Sequence, residues 1–588
     1  MAGPVVEATG LPGVRLFDVV RIGGQRLTGE VIRLDGDSCV AQVFEDTTGL
    51  RVGDPAEPTG GPLTVELGPG LLGSIVDGMG RPLDVLAGVP GAASGHSAAV
   101  PWQTADPYVP RGADPPRLDR DRRWRFTPAV EIGDVVEPGD VLGTTPEGPI
   151  EHRVLVPDGV SGPVSAIGAG EFTVTDEVVR VGDRPVTMAQ RWPVRQARPV
   201  RGRRPLTRPL VTGQRVLDVL FPVARGGAAI IPGGFGTGKT VTETSLAKYA
   251  EADVVVYVGC GERGNELTEV LQEFPELVDP RTGAPLMQRT VLVANTSNMP
   301  VAAREASVYT GITIAEYYRD QGYHVALMAD STSRWGEALR EVSSRLEEIP
   351  AEDGYPAYLA TRLAGFYERA GEVECRCGAA GEAGTARIGS VTIVGAVSPA
   401  GGDFSEPITQ NSLRLAGCFW ALDTSLARRR HFPSVNWTRS YSQYPVVGWF
   451  DQHVAADWGD LRRWALALLA QEASLQEVVQ LLGVEALAPE QRVVLRTGRL
   501  LREDFLQQSA FDEVDASCPP AKQIAMLRAI HHVHRALTDA LERGVPARQL
   551  SELPALAELG RMKAWPADDM AHRCAELTER ITQEVQAL

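Results

Sequence analysis

The chain has 588 residues, 43% of them hydrophobic, and its 58 basic against 75 acidic side chains leave a net charge of −17. That length fits about three or four domains, and the acidic balance argues against a protein that grips nucleic acid through counterion release. Seven scattered cysteines fit a reducing cytoplasm better than a disulfide framework, and with no signal-like start and no uninterrupted apolar run of about 18 residues the chain is expected neither to span a membrane nor to be exported by a standard signal.

From Val5 to about Leu72 the sequence alternates short apolar runs with turn signals. Leu16-Phe17-Asp18-Val19-Val20, Leu27 to Leu34, and Cys39 to Phe44 read as strands, and Asp35-Gly36-Asp37 reads as a hairpin turn, so a small β-barrel is predicted over residues 1–72. Such a barrel serves more often as an assembly collar than as a binding site. Residues 73–110 begin Gly73-Ser74-Ile75-Val76-Asp77-Gly78 and pass into a Pro/Ala/Gly-rich loop, which reads as entry into the next domain.

Residues 111–195 change character. Glu131 to Leu142 reads as strand, turn, strand, with further short strands at Val154-Leu155-Val156 and Phe172-Thr173-Val174. The pattern is similar to the barrel-sandwich topology of lipoyl-type modules, yet no lysine is present to carry a cofactor, so the segment reads as a β-rich structural insertion.

From residue 196 strands and helices alternate, and one stretch stands out. Gly233-Gly234-Phe235-Gly236-Thr237-Gly238-Lys239-Thr240 fits G-x-x-x-x-G-K-[ST], the phosphate-binding loop, in which backbone N–H groups cradle phosphate oxygens, the lysine reaches the terminal phosphates and the hydroxyl holds Mg²⁺. An apolar run, Ala228 to Ile231, precedes it as a strand, and Val241 to Tyr249 follows as a helix whose positive end would face the phosphates. The bland alternative is a glycine-rich turn. Lysine usage favours the phosphate loop: the chain has only four lysines, Lys239, Lys248, Lys522 and Lys563, and elsewhere takes arginine for positive charge. A compact ammonium fits between phosphate oxygens at a helix mouth where a broad guanidinium does not.

Continuous apolar runs follow at Val254 to Val258, Val291 to Ala294, His324 to Asp330 and Val391 to Val394, with a helix-like stretch from Ala302 to Arg319. Buried strands separated by helices predict a parallel sheet covered on both faces, with ligands at the carboxyl ends of the strands. Asp330 ends one strand and is placed to reach the Mg²⁺ shell opposite Thr240, directly or through water, although many strands end in Asp. Gly261-Glu262-Arg263-Gly264 follows another strand, so Glu262 would emerge beside the phosphate loop. Two readings of Glu262 stand level on spacing alone: a carboxylate that orients the attacking water, held by Arg263, or an acid interacting with a helix dipole. Cys375-Arg376-Cys377 has the wrong spacing for zinc and reads as a solvated loop with free thiols. Beyond Tyr441 helical spacing takes over, as in Ile524, Leu527, Ile530, Val533, Leu537 and Leu541, and predicts a helical bundle. Met526, His531 and His532 lie on it as surface or core residues, not ligands.

Four segments together carry a family resemblance. The loop Gly233–Thr240, Gly261 to Glu266, Ser398-Pro399-Ala400-Gly401-Gly402-Asp403-Phe404-Ser405-Glu406-Pro407, and His431-Phe432-Pro433-Ser434-Val435-Asn436-Trp437 resemble the catalytic A subunit of V/A-type rotary ATPases, and the likeness reaches Phe505 to Phe511 in the helical region. The insertion before the nucleotide domain is itself a marker, since neither the F-type β subunit nor the family's own B subunit has it. The resemblance implies five segments: a barrel at 1–72, the start of the nucleotide-binding domain at 73–110, the insertion at 111–195, the P-loop domain proper at 196–440 and a helical domain at 441–588. It also implies three copies alternating with three B subunits in a ring around a central stalk, held by peripheral stalk subunits, with ATP hydrolysis or synthesis coupled to proton or sodium movement in a membrane sector reached only indirectly. The protein would then sit on the cytoplasmic face of a membrane without entering it, and would bind no nucleic acid.

By the same resemblance Gly233, Gly234, Phe235, Gly236, Thr237, Gly238, Lys239, Thr240 and Val241 bind ATP or ADP, Thr240 and Asp330 serve Mg²⁺, and Glu262 activates water with Arg263 in support. Phe432, Phe511 and Phe505 form the aromatic wall of the adenine pocket, and a B subunit supplies the arginine finger. Gly234 stands where the family often has proline or alanine, and Thr237 where eukaryotic members tend to carry cysteine, which favours a prokaryotic member. One competing reading is a ring-shaped RNA motor similar to the Rho helicase, against which the aromatic-poor, acidic N-terminal segment counts. A flagellar or secretion-type ATPase lacks the insertion, and a merely structural nucleotide-binding subunit has no use for Glu262.

Overall fold

In a computed structural model the chain is described over residues 3–86, 110–377, 386–551 and 553–588. The Pro/Ala/Gly-rich loop expected before residue 110 lies largely outside these residues. The chain separates into two compact units. The first holds residues 1–205, 252–398 and 403–415, and the second holds 206–251, 399–402 and 416–588.

The first unit opens with a five-stranded antiparallel sheet in the order Val5–Thr9, Ser38–Val43, Leu27–Asp35, Asp18–Ile22, Ala56–Pro62. Alternation along these strands sends Val20, Ile22, Leu27, Val31, Ala41 and Val43 inward to one apolar core. The insertion follows as two four-stranded antiparallel sheets, one of Ile150–Leu155, Val141–Glu147, Trp124–Pro128 and Gly170–Phe172, the other of Arg184–Thr187, Glu177–Val181, Gly162–Ile167 and Val135–Val136.

Behind it stands a parallel sheet in the order Ile75–Val76, Thr290–Thr296, Val254–Glu262, His324–Asp330, Ile388–Val397. Ile75–Val76 joins this sheet from the far side of the insertion, which makes the insertion an excursion from one α/β layer. The strands are buried on both faces, and the helix Val301–Asp320 is buried along its whole length. Along that helix four of the five charged side chains are in ion pairs. Arg319 meets Glu316 at 3.2 Å and Asp320 at 2.6 Å, and Glu305 meets Arg195, which also binds Glu30 of the N-terminal sheet at 2.6 Å. The ion pairs offset the cost of taking these charges out of water, while Arg304 donates to the Ser297 carbonyl instead.

His152 ties the insertion to the same helix. Fully buried, it meets Glu147 at 2.6 Å through Nδ1 and the hydroxyl of Tyr317 at 2.8 Å through Nε2. Glu147 in turn accepts the backbone N–H groups of Gly70 and Leu72.

In the second unit Ala228–Pro232 pairs in parallel with Cys418–Phe419, which pairs antiparallel with Tyr441–Ser442. The remainder is helical, with Trp458–Leu482, Pro489–Leu500, Pro520–Glu542 and Met570–Gln586 as its long members. Ile524, Leu527, Ile530, Val533 and Leu537 form the buried stripe of Pro520–Glu542. Met526 is buried with them, and His532 meets Thr582 at 2.8 Å. Among the described residues no helix is long and apolar enough to cross a membrane.

Candidate functional site

In the second unit the strand Ala228–Pro232, buried throughout, delivers the chain into the loop Gly233–Gly238, and the helix Lys239–Tyr249 leaves it. Gly236 and Gly238 take φ of 73° and 86°, a region that costs glycine nothing and other residues much. A Cβ on Gly233 would lie 2.5 Å from Thr237 Oγ1, so the loop can close only around glycine there. At Gly234 an added Cβ meets nothing nearer than Thr424 at 3.4 Å, so this position has room for a side chain that the sequence does not use.

Helix Lys239–Tyr249 starts without a side-chain cap at Gly238, and its first turn presents backbone donors and the positive end of the dipole to an anion. The Lys239 ammonium is held over the loop, donating to the carbonyls of Gly233 at 2.8 Å and Gly234 at 3.1 Å. Thr237 donates to the Gly234 carbonyl at 2.8 Å, and Ser434 donates to the Thr237 carbonyl at 2.7 Å. Thr240 is half-buried on the first turn, while Phe235 and Val241 are exposed.

The three aromatic candidates part company. The ring of Phe432 stands over the loop, 3.4 Å from where a Cβ on Gly238 would be, and Phe511 is 93% exposed. Phe505, by contrast, is fully buried, which corrects its expected place in the adenine wall: it is a core side chain with no face to offer a base. Its carbonyl accepts from Nε of Arg215.

Arg215, buried completely, is the hub of this segment. It pairs with Asp515 at 2.7 Å, donates to the Gln507 carbonyl at 2.9 Å, and its backbone N–H donates to the Gln508 side chain at 2.9 Å. Gln508 also donates to the carbonyls of Gly213 and Asp515, each at 2.8 Å. These contacts fix the turn that carries Phe511. The sequence held no sign of them, because an arginine among dozens, about 300 residues from its partner, has no local signature.

Glu262, Arg263 and Asp330 lie in the first unit. The strand expected at Val254–Val258 continues to Glu262, because parallel pairing with Thr290–Thr296 persists through a register shift between Cys260 and Glu262. Asp330 ends the neighbouring strand, is buried, and accepts from the Tyr257 hydroxyl at 3.3 Å. Burial first, then the carboxylates of Asp330 and Glu266, push the Glu262 carboxyl up to about 8. Glu262 and Asp330 end neighbouring parallel strands and Glu266 lies on the first turn of the helix that follows, so negative charge crowds this end of the sheet. Arg263 is exposed and reaches Glu266 at 3.9 Å.

The expected solvated thiols of Cys375-Arg376-Cys377 need correcting for Cys375. It is fully buried, its thiol donates to the Arg319 carbonyl at 3.2 Å, and burial pushes its pKa up to about 11. A strand, Gly371–Glu374, leads it into the core where a loop was expected.

Comparison with known proteins accounts for nearly the whole chain. Residues 213–442 match the nucleotide-binding domain of the ATP synthase alpha/beta family, 1–60 its beta-barrel domain, 115–195 its barrel-sandwich domain, and 447–550 the C-terminal domain of V and A type ATP synthases. The chain is 56% identical to the second A subunit of the A-type ATP synthase of Methanospirillum hungatei, over 100% of this chain and 97% of that one. It is 53% identical to the corresponding A subunit of Methanopyrus kandleri and 52% identical to that of Halobacterium salinarum, in each case over 100% of this chain and 97% of the relative. Among solved structures, the assembled ATPase EscN of the type III secretion system of enteropathogenic E. coli shares the fold, with a TM-score of 0.62 and 23% identity over 90% of this chain and 98% of that one.

Proposed function

Because this chain belongs to the ATP synthase alpha/beta family, and within it to the A subunits of A-type ATP synthases, we propose that Lys239, Thr240 and Glu262 are the working residues of its ATP site. The chain is an ATP-hydrolysing and ATP-synthesising subunit of a V/A-type rotary ATPase, and it works within a multi-subunit complex. Partners of this chain would be B subunits alternating with it in a ring, which supply the arginine finger, together with central and peripheral stalk subunits. The assembly would sit on the cytoplasmic face of a membrane, with proton or sodium transport in the membrane sector.

The observation that carries the site is the loop Gly233–Gly238, whose left-handed glycines lead into a helix with no side-chain cap and whose one lysine lies across its carbonyls. That donor set fits polyphosphate. Backbone N–H groups of the loop and helix start hold the β- and γ-phosphate oxygens, and Lys239 leaves its carbonyls to bridge them. Thr240 would supply a hydroxyl to Mg²⁺ and Asp330 a carboxylate to its shell, directly or through water. When bound, the ion neutralises charge building on the transferred phosphoryl group.

Glu262 orients the attacking water and takes its proton. Burial and the neighbouring acids keep its proton bound, so it would come into play as a base once Mg²⁺ is bound. Arg263 supports the same turn through Glu266. Phe432 and Phe511 give the base stacking faces, which read shape and polarisability but few hydrogen bonds.

The test is Glu262→Gln in the assembled complex. Mg-ATP binding should stay nearly intact while turnover falls on the order of a hundredfold or more, as expected for lost general-base assistance. Wild-type turnover would remove Glu262 from the mechanism.

A further inference from the structure

The turn that bears Glu262 is held from outside its own strand. Gly261 sits at φ 70°, and a Cβ there would lie 2.7 Å from Arg304 Cδ and 2.8 Å from Arg334 Cβ. The backbone therefore threads between two arginine stems. Arg304, on the first turns of the helix Val301–Asp320, is buried, and its Nη2 donates to the Ser297 carbonyl at 2.7 Å. Ser297 in turn donates its backbone N–H to the Glu262 carbonyl at 2.8 Å. From the other side the Cys260 thiol donates to the Arg304 carbonyl at 3.4 Å, as does Ser307 at 2.7 Å.

Arg304 is thus bonded on both flanks of Gly261: through its main chain to the residue before, and through its guanidinium and Ser297 to the residue after. Arg263, the nearer arginine in sequence, is exposed. The arrangement suits arginine. Its stem packs against a glycine that leaves no space to spare, while its planar fork reaches a carbonyl beyond.

We propose that Arg304 is a positioning residue for the hydrolytic step, fixing the Gly261–Glu262 turn so that the Glu262 carboxylate is aimed at the attacking water. This rests on the assignment of Glu262 as the water-orienting base. Misplacing a reacting group by about 1 Å can cost on the order of a hundredfold in rate, whereas nucleotide binding, carried by the phosphate loop, is left alone.

The experiment is a double-mutant cycle on the assembled complex with Arg304→Met, Glu262→Gln and the pair, reading kcat, KM for Mg-ATP and the thermal midpoint. Arg304→Met should lower kcat roughly ten- to a hundredfold with KM within about threefold, and the double variant should be no slower than Glu262→Gln alone. Arg304→Lys, which keeps the charge but not the fork, should recover only part of the lost kcat. If Arg304→Met slows the Glu262→Gln enzyme by the same factor as the wild type, or leaves kcat unchanged, the positioning role is wrong and Glu262 stands. If Glu262→Gln itself turns over normally, both assignments fall. Should Arg304→Met not assemble, Arg304→Lys takes its place in the cycle, and wild-type kcat in that variant overturns the proposal.

Discussion

The backbone N–H of Gln508 donates to the carbonyl of Phe432 at 2.8 Å, so the two segments that carry the exposed rings are joined by a main-chain hydrogen bond. The Phe511 N–H also donates locally, to Ser509 Oγ at 3.3 Å. Each ring depends on a chain segment some 75 residues away, and on the Arg215 hub beneath.

Phe432→Ala and Phe511→Ala are expected to weaken nucleotide binding by about 1–3 kcal/mol each, the usual worth of a base–aromatic stack, with little change in thermal stability. Phe505→Ala should do the reverse, costing about 3–5 kcal/mol of stability as a buried aromatic. Titration with a fluorescent ATP analogue beside thermal unfolding separates the two. Loss of affinity in Phe505→Ala at full stability would return that ring to the pocket.

Lys239→Arg keeps the charge, yet turnover should fall at least a hundredfold, because a guanidinium cannot take the place of an ammonium lying 2.8 Å from the Gly233 carbonyl in a loop this tight. Thr240→Ser should retain most activity and Thr240→Ala lose most of it, with a raised Mg²⁺ requirement. Steady-state hydrolysis at varied Mg²⁺ is the measurement. An unchanged Mg²⁺ optimum in Thr240→Ala would count against its place in the metal shell.

Asp218 is buried and accepts from Thr212, Gly213 and Gln523, and burial outweighs these donors and raises its pKa to about 6. The folded state therefore holds this proton more tightly than the unfolded chain, whose value is near 4. The stabilisation is complete below about pH 4 and is lost as pH rises through about 6. Asp218→Asn has no such proton, so the stability of wild type relative to the variant should decline by about 2 kcal/mol between pH 4 and pH 7. Paired thermal midpoints across that range check it, and a constant difference would refute it.

His152→Leu takes one hydrogen bond each from Glu147 and Tyr317 and leaves Glu147 to the Gly70 and Leu72 N–H groups and the Tyr318 hydroxyl. The expected loss is about 1–3 kcal/mol, seen as a lower thermal midpoint and as faster proteolysis within the insertion. His152→Gln, which can still donate, should lose less. Equal losses in the two variants would show that packing, not hydrogen bonding, holds this junction.

Much of the architecture could be read from the sequence, because it rests on local rules. The loop at Gly233–Thr240 announces itself by spacing, and the parallel strands by unbroken apolar runs. Residues such as Arg215, Arg304, His152 and Gln508 could not be read the same way. Their work is done on partners far along the chain, or on carbonyls, which every residue has. The rings differ for a similar reason: Phe432, Phe505 and Phe511 share one chemistry, and only burial tells an exposed ring from a core one. Cys375 looked solvated because its neighbours are polar, but a short strand turns it inward.

The helix Val301–Asp320 is close-packed on every side for all twenty of its residues, a rod of roughly 30 Å. At one end Arg304 grips the Glu262 turn, and at the other Tyr317 and Asp320 bear on the insertion and its linker. A rod so confined has no soft joint in which to absorb a push. The Gly261–Glu262 turn and the His152 junction of the insertion are therefore seated on opposite ends of one buried element.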